Sequence, residues 1–79
     1  MVTPEQIKEY IGHGLACEHL QVEGDGQHFE AIIVSREFEG KSPIQRHQLV
    51  YKALGDRMRE EIHALSMKTH TPEQWAKIA

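Results

Sequence analysis

Cysteine is scarce in this sequence, since Cys17 is the only one among 79 residues. That scarcity excludes an internal disulfide and a zinc site built from cysteines, and a reducing, cytoplasmic setting is its simplest interpretation. Long apolar runs are absent too, because no stretch reaches the roughly 20 residues that a membrane-spanning helix needs. Residues 1–5 have neither the basic start nor the apolar run of a secretory signal. We therefore expect a cytoplasmic chain that has no membrane partner.

The motifs of common enzymes are also missing. There is no Walker loop, no G-x-S-x-G, no H-E-x-x-H and no paired-cysteine motif. The segment Gly24-Asp25-Gly26 is too short for a dinucleotide-binding loop and is typical of a turn. A chain of 79 residues has a thin core with little room for a deep catalytic cleft. We predict a single domain over residues 1–79 that is not an enzyme and works by binding other molecules.

Charge is unevenly distributed along the chain, although the net value is only −3. Residues 1–35 hold one base and six acids, which gives −5. Residues 36–68 hold seven bases and five acids, which gives +2. The acidic total argues against a chain that binds nucleic acid over its whole surface. The basic surplus of residues 36–68 permits a local basic face, but a solvated surface of mixed charge is the simpler explanation.

Three segments carry the pattern of a helix start, with a Thr or Ser cap, a proline and then a glutamine at the capping-box position: residues 3–6, 42–45 and 71–74. Helical spacing predicts the apolar sides of these helices. The predicted buried positions are Ile7, Tyr10, Ile11 and Leu15 in the first helix, and Ile44, Val50, Leu54 and Met58 in the second. The third helix presents Trp75 and Ile78, and Gly55 is a possible break in the second.

Three segments alternate apolar and polar residues as strands do: residues 19–23, 28–34 and 62–68. The turn residues 24–27 join the first two into a hairpin, and residues 38–41 are predicted to form a loop. The element order is therefore α-β-β-α-β-α. A helix that crosses from the second strand to the third returns the chain in the same direction. We predict an α+β fold with a three-stranded mixed sheet and helices packed on it.

Six histidines stand out in so short a chain: His13, His19, His28, His47, His63 and His70. Imidazole is the commonest neutral metal ligand. No pair has the i, i+4 spacing of a helical zinc site, so the spacing gives little support to a self-contained metal site. His13 and His19 are predicted at the surface. His28 and His63 each open a strand, and each is either a half-buried structural residue or a ligand.

The other candidates also have plain structural explanations. His47 can be a helix residue bonded to a neighbouring element, and His70, next to the cap Thr71, can be structural or solvated. Cys17 lies in the predicted connection from helix to strand. A single thiol there is a passive small residue or a reactive one, and its environment decides between the two.

Several fixed spacings together resemble the signature of the BolA family. They are Phe38-x-Gly40-x-Ser42-x-x-x-Arg46-His47, Leu49-Val50-Tyr51, His63-Ala64-Leu65 and Thr71-Pro72-x-x-Trp75. Residues 24–29 are similar to the family's entry into its second strand, so the resemblance covers essentially the whole chain. The short hairpin is most similar to the compact bacterial subgroup that includes IbaG. The resemblance implies an αββαβα fold similar to the type II KH domain.

The resemblance also implies a role. BolA-like proteins pair with monothiol glutaredoxins and share a glutathione-ligated [2Fe-2S] cluster with them. On that basis His63 matches the family's histidine ligand, and the partner and glutathione supply the thiolates. The second ligand of other family branches comes from a longer hairpin loop. Here His28 is the nearest candidate, and Cys17 is a weaker one.

Two functions remain open from the sequence. The first is an adaptor in iron–sulfur trafficking or redox and iron regulation, for which Arg46, His47 and Lys68 are candidate partner-binding residues. The second is a regulator of transcription or stress response that binds DNA or RNA, since the implied fold is KH-like. A type II KH domain clamps the backbone with a GXXG loop, and no such tetrapeptide occurs here. The isolated chain is expected to be a monomer or a weak homodimer that does not hold the cluster alone.

Overall fold

A computed structural model describes residues 2–56, 62 and 64–78. Its elements follow the predicted order, so the αββαβα arrangement and the α+β class are confirmed. The elements are helix α1 (Pro4–Gly14), strands β1 (His19–Gly24) and β2 (His28–Val34), a 3-10 turn (Arg36–Phe38), helix α2 (Pro43–Leu54), strand β3 (Ala64–His70) and helix α3 (Pro72–Ile78). In this described part of the chain, no helix has the length and apolar character needed to cross a membrane.

All three predicted helix starts are present. The backbone N–H of Gln6 donates to the Thr3 hydroxyl oxygen over 3.2 Å, and the backbone N–H of Thr3 donates to the side-chain oxygen of Gln6 over 2.9 Å. The same reciprocal pair forms at residues 42 and 45 and at residues 71 and 74. Each pair satisfies backbone donors that the first turn of a helix leaves unbonded. Local sequence chemistry therefore determines where each helix begins.

The sheet is mixed, in the order β1-β2-β3. Strands β1 and β2 form the predicted antiparallel hairpin, and β2 and β3 run parallel. The third strand was predicted at residues 62–68 and lies at Ala64–His70 instead. The reason is its register, because pairing with β2 begins at Ala64 opposite His28 and continues to His70 opposite Val34.

The core lies between α1, α2 and one face of the sheet. Alternate residues of β2 point into it, namely Phe29, Ala31 and Ile33. The helices contribute Ile7, Ile11, Val50 and Leu54 to the same cluster. The alternation of β2 and the helical spacing of α1 and α2 therefore meet in one apolar layer.

Ile44 was predicted to be buried, and this prediction is wrong because its side chain is 71% exposed. At 100° per residue, Val50 and Leu54 lie about 40° apart around the helix axis, whereas Ile44 lies about 120° from Val50. Met58, predicted with them, lies outside the described residues. The predicted break at Gly55 is confirmed, since α2 ends at Leu54 and Gly55 caps it with φ of 62°.

Candidate functional site

The face of the sheet that points away from α1 and α2, here called the outer face, carries most of the polar residues of the strands. Its residues are His19, Gln21 and Glu23 on β1, His28, Glu30, Ile32 and Val34 on β2, and Ala64, Ser66, Lys68 and His70 on β3. Side chains of a strand alternate between faces, so the burial of Phe29, Ala31 and Ile33 places these residues opposite. The register then aligns them in rows across the three strands.

One row is covered by a tryptophan. His19, Val34 and His70 are register partners across the sheet. The Trp75 ring of α3 stacks on His19 with centroids 4.8 Å apart and lies 5.7 Å from the ring of His70. Val34 is only 1% exposed although it does not belong to the main core. Helix α3 therefore closes this end of the outer face.

The histidines of that row are not at the surface. His19 is half-buried, so its predicted surface position is wrong, and its Nε2 atom is buried with no hydrogen-bond partner within the described residues. His70 is half-buried too, which favours the structural explanation over the solvated one. His13 is exposed on α1, as predicted.

The opposite end of the outer face carries His28. Its side chain is exposed, so the half-buried explanation is wrong for this residue and its imidazole is accessible to a ligand. His28 pairs with Ala64, the residue that follows His63 in the chain. His63 itself lies outside the described residues.

The hairpin turn holds His28 in place. The Asp25 carboxylate accepts the backbone N–H groups of Gln27 and His28, each over 2.9 Å. The hydrogen bond from His28 and then that from Gln27 lower the pKa of Asp25, so this carboxylate stays charged next to the imidazole. Gly26 has φ of 99°, a conformation that favours glycine. The predicted turn is confirmed at residues 25–27, and Gly24 is the last residue of β1.

Cys17 lies at the other end of the sheet from His28. The residue after it, Glu18, donates its backbone N–H to the carbonyl of Val34 at the last position of β2. Val34 and His28 are six residues apart on that strand, which corresponds to about 20 Å. The thiol donates to the carbonyl of Leu15 over 3.4 Å. This geometry separates Cys17 from any ligand that binds at His28.

We predict that Cys17 reacts slowly with alkylating reagents. Burial, and then the carboxylates of Glu18 and Glu37, raise the pKa of its thiol from 9.0 to about 11. Since only the thiolate reacts, iodoacetamide labelling of the folded chain should rise tenfold per pH unit up to about pH 11. Because the folded pKa is raised, the free energy of unfolding should fall as the pH rises from 9 through 11. Mass spectrometry measures the labelling rate, and equal rates for the folded chain and glutathione at pH 7.5 would contradict the prediction.

Arg46 is engaged within the protein. Its Nε donates to the carbonyl of Lys41 over 3.0 Å, and its Nη1 donates to the carbonyl of Thr69 over 3.3 Å and to the side-chain oxygen of Gln74 over 3.0 Å. Its guanidinium lies 5.8 Å from the centroid of the Phe38 ring. Arg46 therefore ties α2 to the end of β3 and to α3. These contacts favour packing as the explanation of this residue over partner binding.

We expect the substitution Arg46→Ala to destabilise the protein by about 1–2 kcal/mol, because it removes charge-assisted hydrogen bonds from a half-buried position. Arg46→Lys should recover little, since an ammonium group cannot reach three acceptors in a fork. Urea unfolding followed by Trp75 fluorescence measures the effect. An Arg46→Ala variant of unchanged stability would show that these hydrogen bonds contribute nothing in solution.

The remaining candidates lie apart from one another. His47 is half-buried on α2, with its ring 6.5 Å from that of Tyr51 in an edge contact. Lys68 is exposed on the outer face opposite Ile32, four residues beyond Ala64 and so about 13 Å from the His28 end. The structure therefore brings Lys68 and His28 onto one face and leaves Arg46 and His47 on α2.

Sequence reasoning missed the depression beside Lys68. It measures about 190 Å³, and its side-chain lining includes Gln21, Glu23, Glu30, Ile32, Ser66 and Lys68. Glu23 and Glu30 are register partners, which places two like charges side by side. Alternation alone assigned these residues to one face of each strand, but only the register brings them together.

Within the described ranges, no group of three or more His, Cys, Asp or Glu residues can hold a metal ion.

Comparison with known sequences gives consistent matches. A family model described as BolA-like protein matches residues 9–74. Protein BOLA2 of Arabidopsis thaliana is 45% identical over 80 residues, covering 95% of this chain and 85% of that protein. Acid stress protein IbaG of Escherichia coli K12 is 36% identical over 73 residues (91% and 87%). The DNA-binding transcriptional regulator BolA of Haemophilus influenzae is 38% identical over 73 residues (86% and 71%).

Comparison with solved structures agrees. A BolA protein homologue from Coxiella burnetii superposes with a TM-score of 0.88 at 48% sequence identity, covering 96% of this chain and 99% of that one. The two helices on one sheet face, the mixed sheet and the closing third helix are therefore shared with a solved relative. With the family model matching most of its length, the chain belongs to the BolA-like protein family.

Proposed function

We propose that this chain is an adaptor that binds a monothiol glutaredoxin and contributes imidazole ligands, from His63 and His28, to a [2Fe-2S] cluster shared with that partner and glutathione. One observation carries the proposal. The exposed imidazole of His28 stands beside Ala64, the chain neighbour of His63. The parallel register thus brings His28 opposite the chain neighbour of a histidine that is 35 residues away in the sequence. Membership of the BolA-like family supports the proposal, because the family resemblance implies pairing with a monothiol glutaredoxin.

The donor set fits a cluster that is shared and does not fit one held by this chain alone. Cys17 is the chain's only cysteine, its pKa is raised to about 11, and it lies at the far end of the sheet. The thiolates must therefore come from the partner and from glutathione. A bound cluster would supply one-electron redox chemistry. A neutral imidazole in place of a thiolate removes negative charge, which raises the cluster's reduction potential.

Anaerobic reconstitution with a monothiol glutaredoxin, iron, sulfide and glutathione tests the proposal. Absorption and circular dichroism spectra would be recorded for the wild-type chain and for the variants His63→Ala, His28→Ala and His13→Ala. We expect a heterodimer whose cluster spectrum differs from that of the glutaredoxin alone. His63→Ala and His28→Ala should each shift that spectrum, whereas His13→Ala, which removes an exposed histidine of α1, should not.

The outcomes separate ligands from structural residues. Far-UV circular dichroism of each variant without cluster shows whether it folds. A folded variant with an altered cluster spectrum supports a ligand role. A wild-type mixture with the glutaredoxin's own spectrum, or no complex at all, would rule out the adaptor function. An altered spectrum in His63→Ala only would reject His28 as the second ligand and keep the adaptor.

A second candidate function is binding of DNA or RNA. It is favoured by the similarity to the DNA-binding transcriptional regulator BolA of Haemophilus influenzae and by residues 40–55 of this chain, which hold three bases and no acid. Binding that depends on phosphate contacts weakens steeply with salt. Fluorescence anisotropy with labelled duplex DNA and single-stranded RNA, titrated with salt, measures it. Lys41→Ala and Lys52→Ala, which remove exposed bases of that segment, should each weaken such binding and lower the salt slope by about 1, and salt-independent or undetectable binding would reject this function.

A further inference from the structure

Strand β3 lies at one edge of the sheet, and in the described part of the chain it has a neighbouring strand on one side only. The Ser35 N–H donates to the carbonyl of His70 over 3.0 Å, so the peptide groups of His70 point toward β2. Successive residues of a strand point their peptide groups to alternate sides. The N–H and C=O groups of Leu65, Met67 and Thr69 therefore point away from β2, along what we call the β3 edge.

Most of the β3 edge is not hydrogen-bonded. Arg46 donates to the carbonyl of Thr69 over 3.3 Å, which confirms that this group points outward and closes that end of the edge. Among the residues that the structure describes, the outward N–H and C=O groups of Leu65 and Met67 have no hydrogen-bond partner. These two donor–acceptor pairs are about 7 Å apart along the strand. Such a row of unpaired groups is a template for another extended chain.

The helix beneath the β3 edge offers an apolar flank. Helix α1 contacts β1, and helix α2 contacts β3, so the two helices lie side by side beneath the sheet. Ala53 of α2 faces α1 at Gly14. Ile44 and Tyr51 lie about 180° and 160° from Ala53 around the helix axis, so they face away from α1, on the side of the β3 edge. They are 71% and 42% exposed.

We propose that the β3 edge binds an extended segment of a partner protein, which adds to the sheet as a fourth, antiparallel strand. Such a segment exchanges two hydrogen bonds with Leu65 and two with Met67. Its residues opposite these two point to the inner face, where apolar side chains would pack on Tyr51. The residues between them point to the outer face, beside Ser66 and Lys68, and are polar. Main-chain hydrogen bonds provide the affinity in this mode of recognition, and the proposal does not depend on the cluster proposed above.

A second copy of this chain cannot take the place of that segment. Two β3 strands paired antiparallel would lie about 5 Å apart. The two-fold axis of such a pair is perpendicular to the sheet, so both α2 helices would lie on the same face, each beneath its own β3. Packed helices need about 8–10 Å between their axes. The occupant is therefore a strand with no helix beneath it, which is an extended segment of another protein.

The opposite edge, on β1, is less suited to this binding. The Asp25 N–H donates to the carbonyl of His28 over 3.2 Å, and by alternation the peptide groups of Val22 point away from β2. The helix flank near this edge carries Gly12, which lies close to β1, and Lys8 one turn earlier. It therefore presents a glycine and a lysine where α2 presents two apolar side chains. Val22 provides a matched control for Met67.

A labelled peptide of about nine residues tests the proposal. It alternates valine and threonine, ends in a lysine for solubility, and carries N-methyl groups on its threonines, which block the edge that it does not use here. A second peptide carries the methyl groups on its valines instead. Fluorescence anisotropy measures the binding of each to the full chain. We expect saturable binding of the first peptide and at least tenfold weaker binding of the second, because the valines must donate their N–H groups to Leu65 and Met67.

Amide hydrogen exchange and matched variants locate the site. At saturation with the first peptide, exchange at Leu65 and Met67 should slow by about tenfold or more, and exchange at Val22 should not change. Met67→Pro removes an outward N–H and leaves the ladder with β2 intact, so it should weaken binding by about tenfold or more. Val22→Pro, which does the same on β1, should leave the affinity unchanged. Circular dichroism shows whether each variant folds, and the two peptides keep the test valid on the wild-type chain if Met67→Pro does not.

Four results would overturn the proposal. The first is the absence of saturable binding of the first peptide, and the second is equal affinity for the two peptides. The third is slowed exchange at Val22 without a change at Met67, which would assign the binding to the β1 edge. The fourth is failure of both peptides while labelled single-stranded RNA slows exchange at Met67, which would assign the edge to the second candidate function.

Discussion

Replacing Phe38 with alanine is expected to destabilise the protein by about 3–5 kcal/mol. Phe38 is fully buried in the main core, and the Arg46 guanidinium lies 5.8 Å from its ring centroid. A domain of 79 residues has a total stability of about 4–12 kcal/mol. The expected loss is therefore a large fraction of the free energy of unfolding of the whole domain.

Guanidinium unfolding followed by circular dichroism measures this effect. The matched control is Ile78→Ala, which removes an apolar side chain that is 63% exposed and should change stability by less than about 0.5 kcal/mol. If Phe38→Ala is too unstable to purify, Phe38→Leu keeps most of the volume and should cost about 1–2 kcal/mol. A Phe38→Leu variant as stable as wild type, with the same cooperativity, would mean that this position is not part of the core.

Phe38 also shows what local pattern could not predict. The loop predicted at residues 38–41 is present at 39–41, whereas Phe38 ends a short 3-10 turn in which the Ser35 hydroxyl accepts the backbone N–H of Glu37. Ser35 is fully buried and its hydroxyl donates to the carbonyl of Ala16. Such a contact joins residues 19 apart in the sequence. Spacing within one segment carries no information about it.

The helix starts and the hairpin were predictable because the interactions that form them are local in the sequence. Capping boxes and turn residues act within four positions, so the sequence contains both partners of each hydrogen bond. The predicted burial of Ile44 was wrong because helical spacing is compatible with several adjacent faces of α2. Only the contact of α2 with the sheet determines which face is buried. The exposure of His28 and the burial of His19 likewise depend on α3, which covers one end of the outer face and leaves the other open.

The candidate ligand was predictable only in part. The position of His28 at the start of a strand followed from the alternation, and its pairing with Ala64 followed only from the parallel register. The separation between Cys17 and the His28 end of the sheet also follows from the fold and not from the sequence pattern. The sequence alone identifies the candidate donor residues. The strand register is needed to show which of them lie close together.

Replacing Gly14 with alanine is the second large effect that we expect, and its sign opposes helix propensity. Alanine is favoured over glycine within a helix by up to about 1 kcal/mol. A Cβ atom on Gly14 would lie 2.7 Å from the Cβ and 2.9 Å from the Cα of Ala53, at the crossing of α1 and α2. The two backbones must separate to accommodate it. We expect Gly14→Ala to destabilise the protein by about 1–3 kcal/mol, which lowers the Tm by roughly 4–8 °C per kcal/mol.

Gly12, two residues earlier on the same helix, is the matched control. A Cβ atom there meets only the Cδ2 of Leu20 at 3.9 Å, an ordinary contact, so Gly12→Ala should stabilise the protein by about 0.5–1 kcal/mol. Adding Ala53→Gly to Gly14→Ala should recover part of the loss, because it removes the methyl group that the new Cβ meets. Calorimetric Tm values for the four chains test this. Equal gains from Gly12→Ala and Gly14→Ala would show that the two helices are not in close contact at Gly14, and that propensity alone decides stability there.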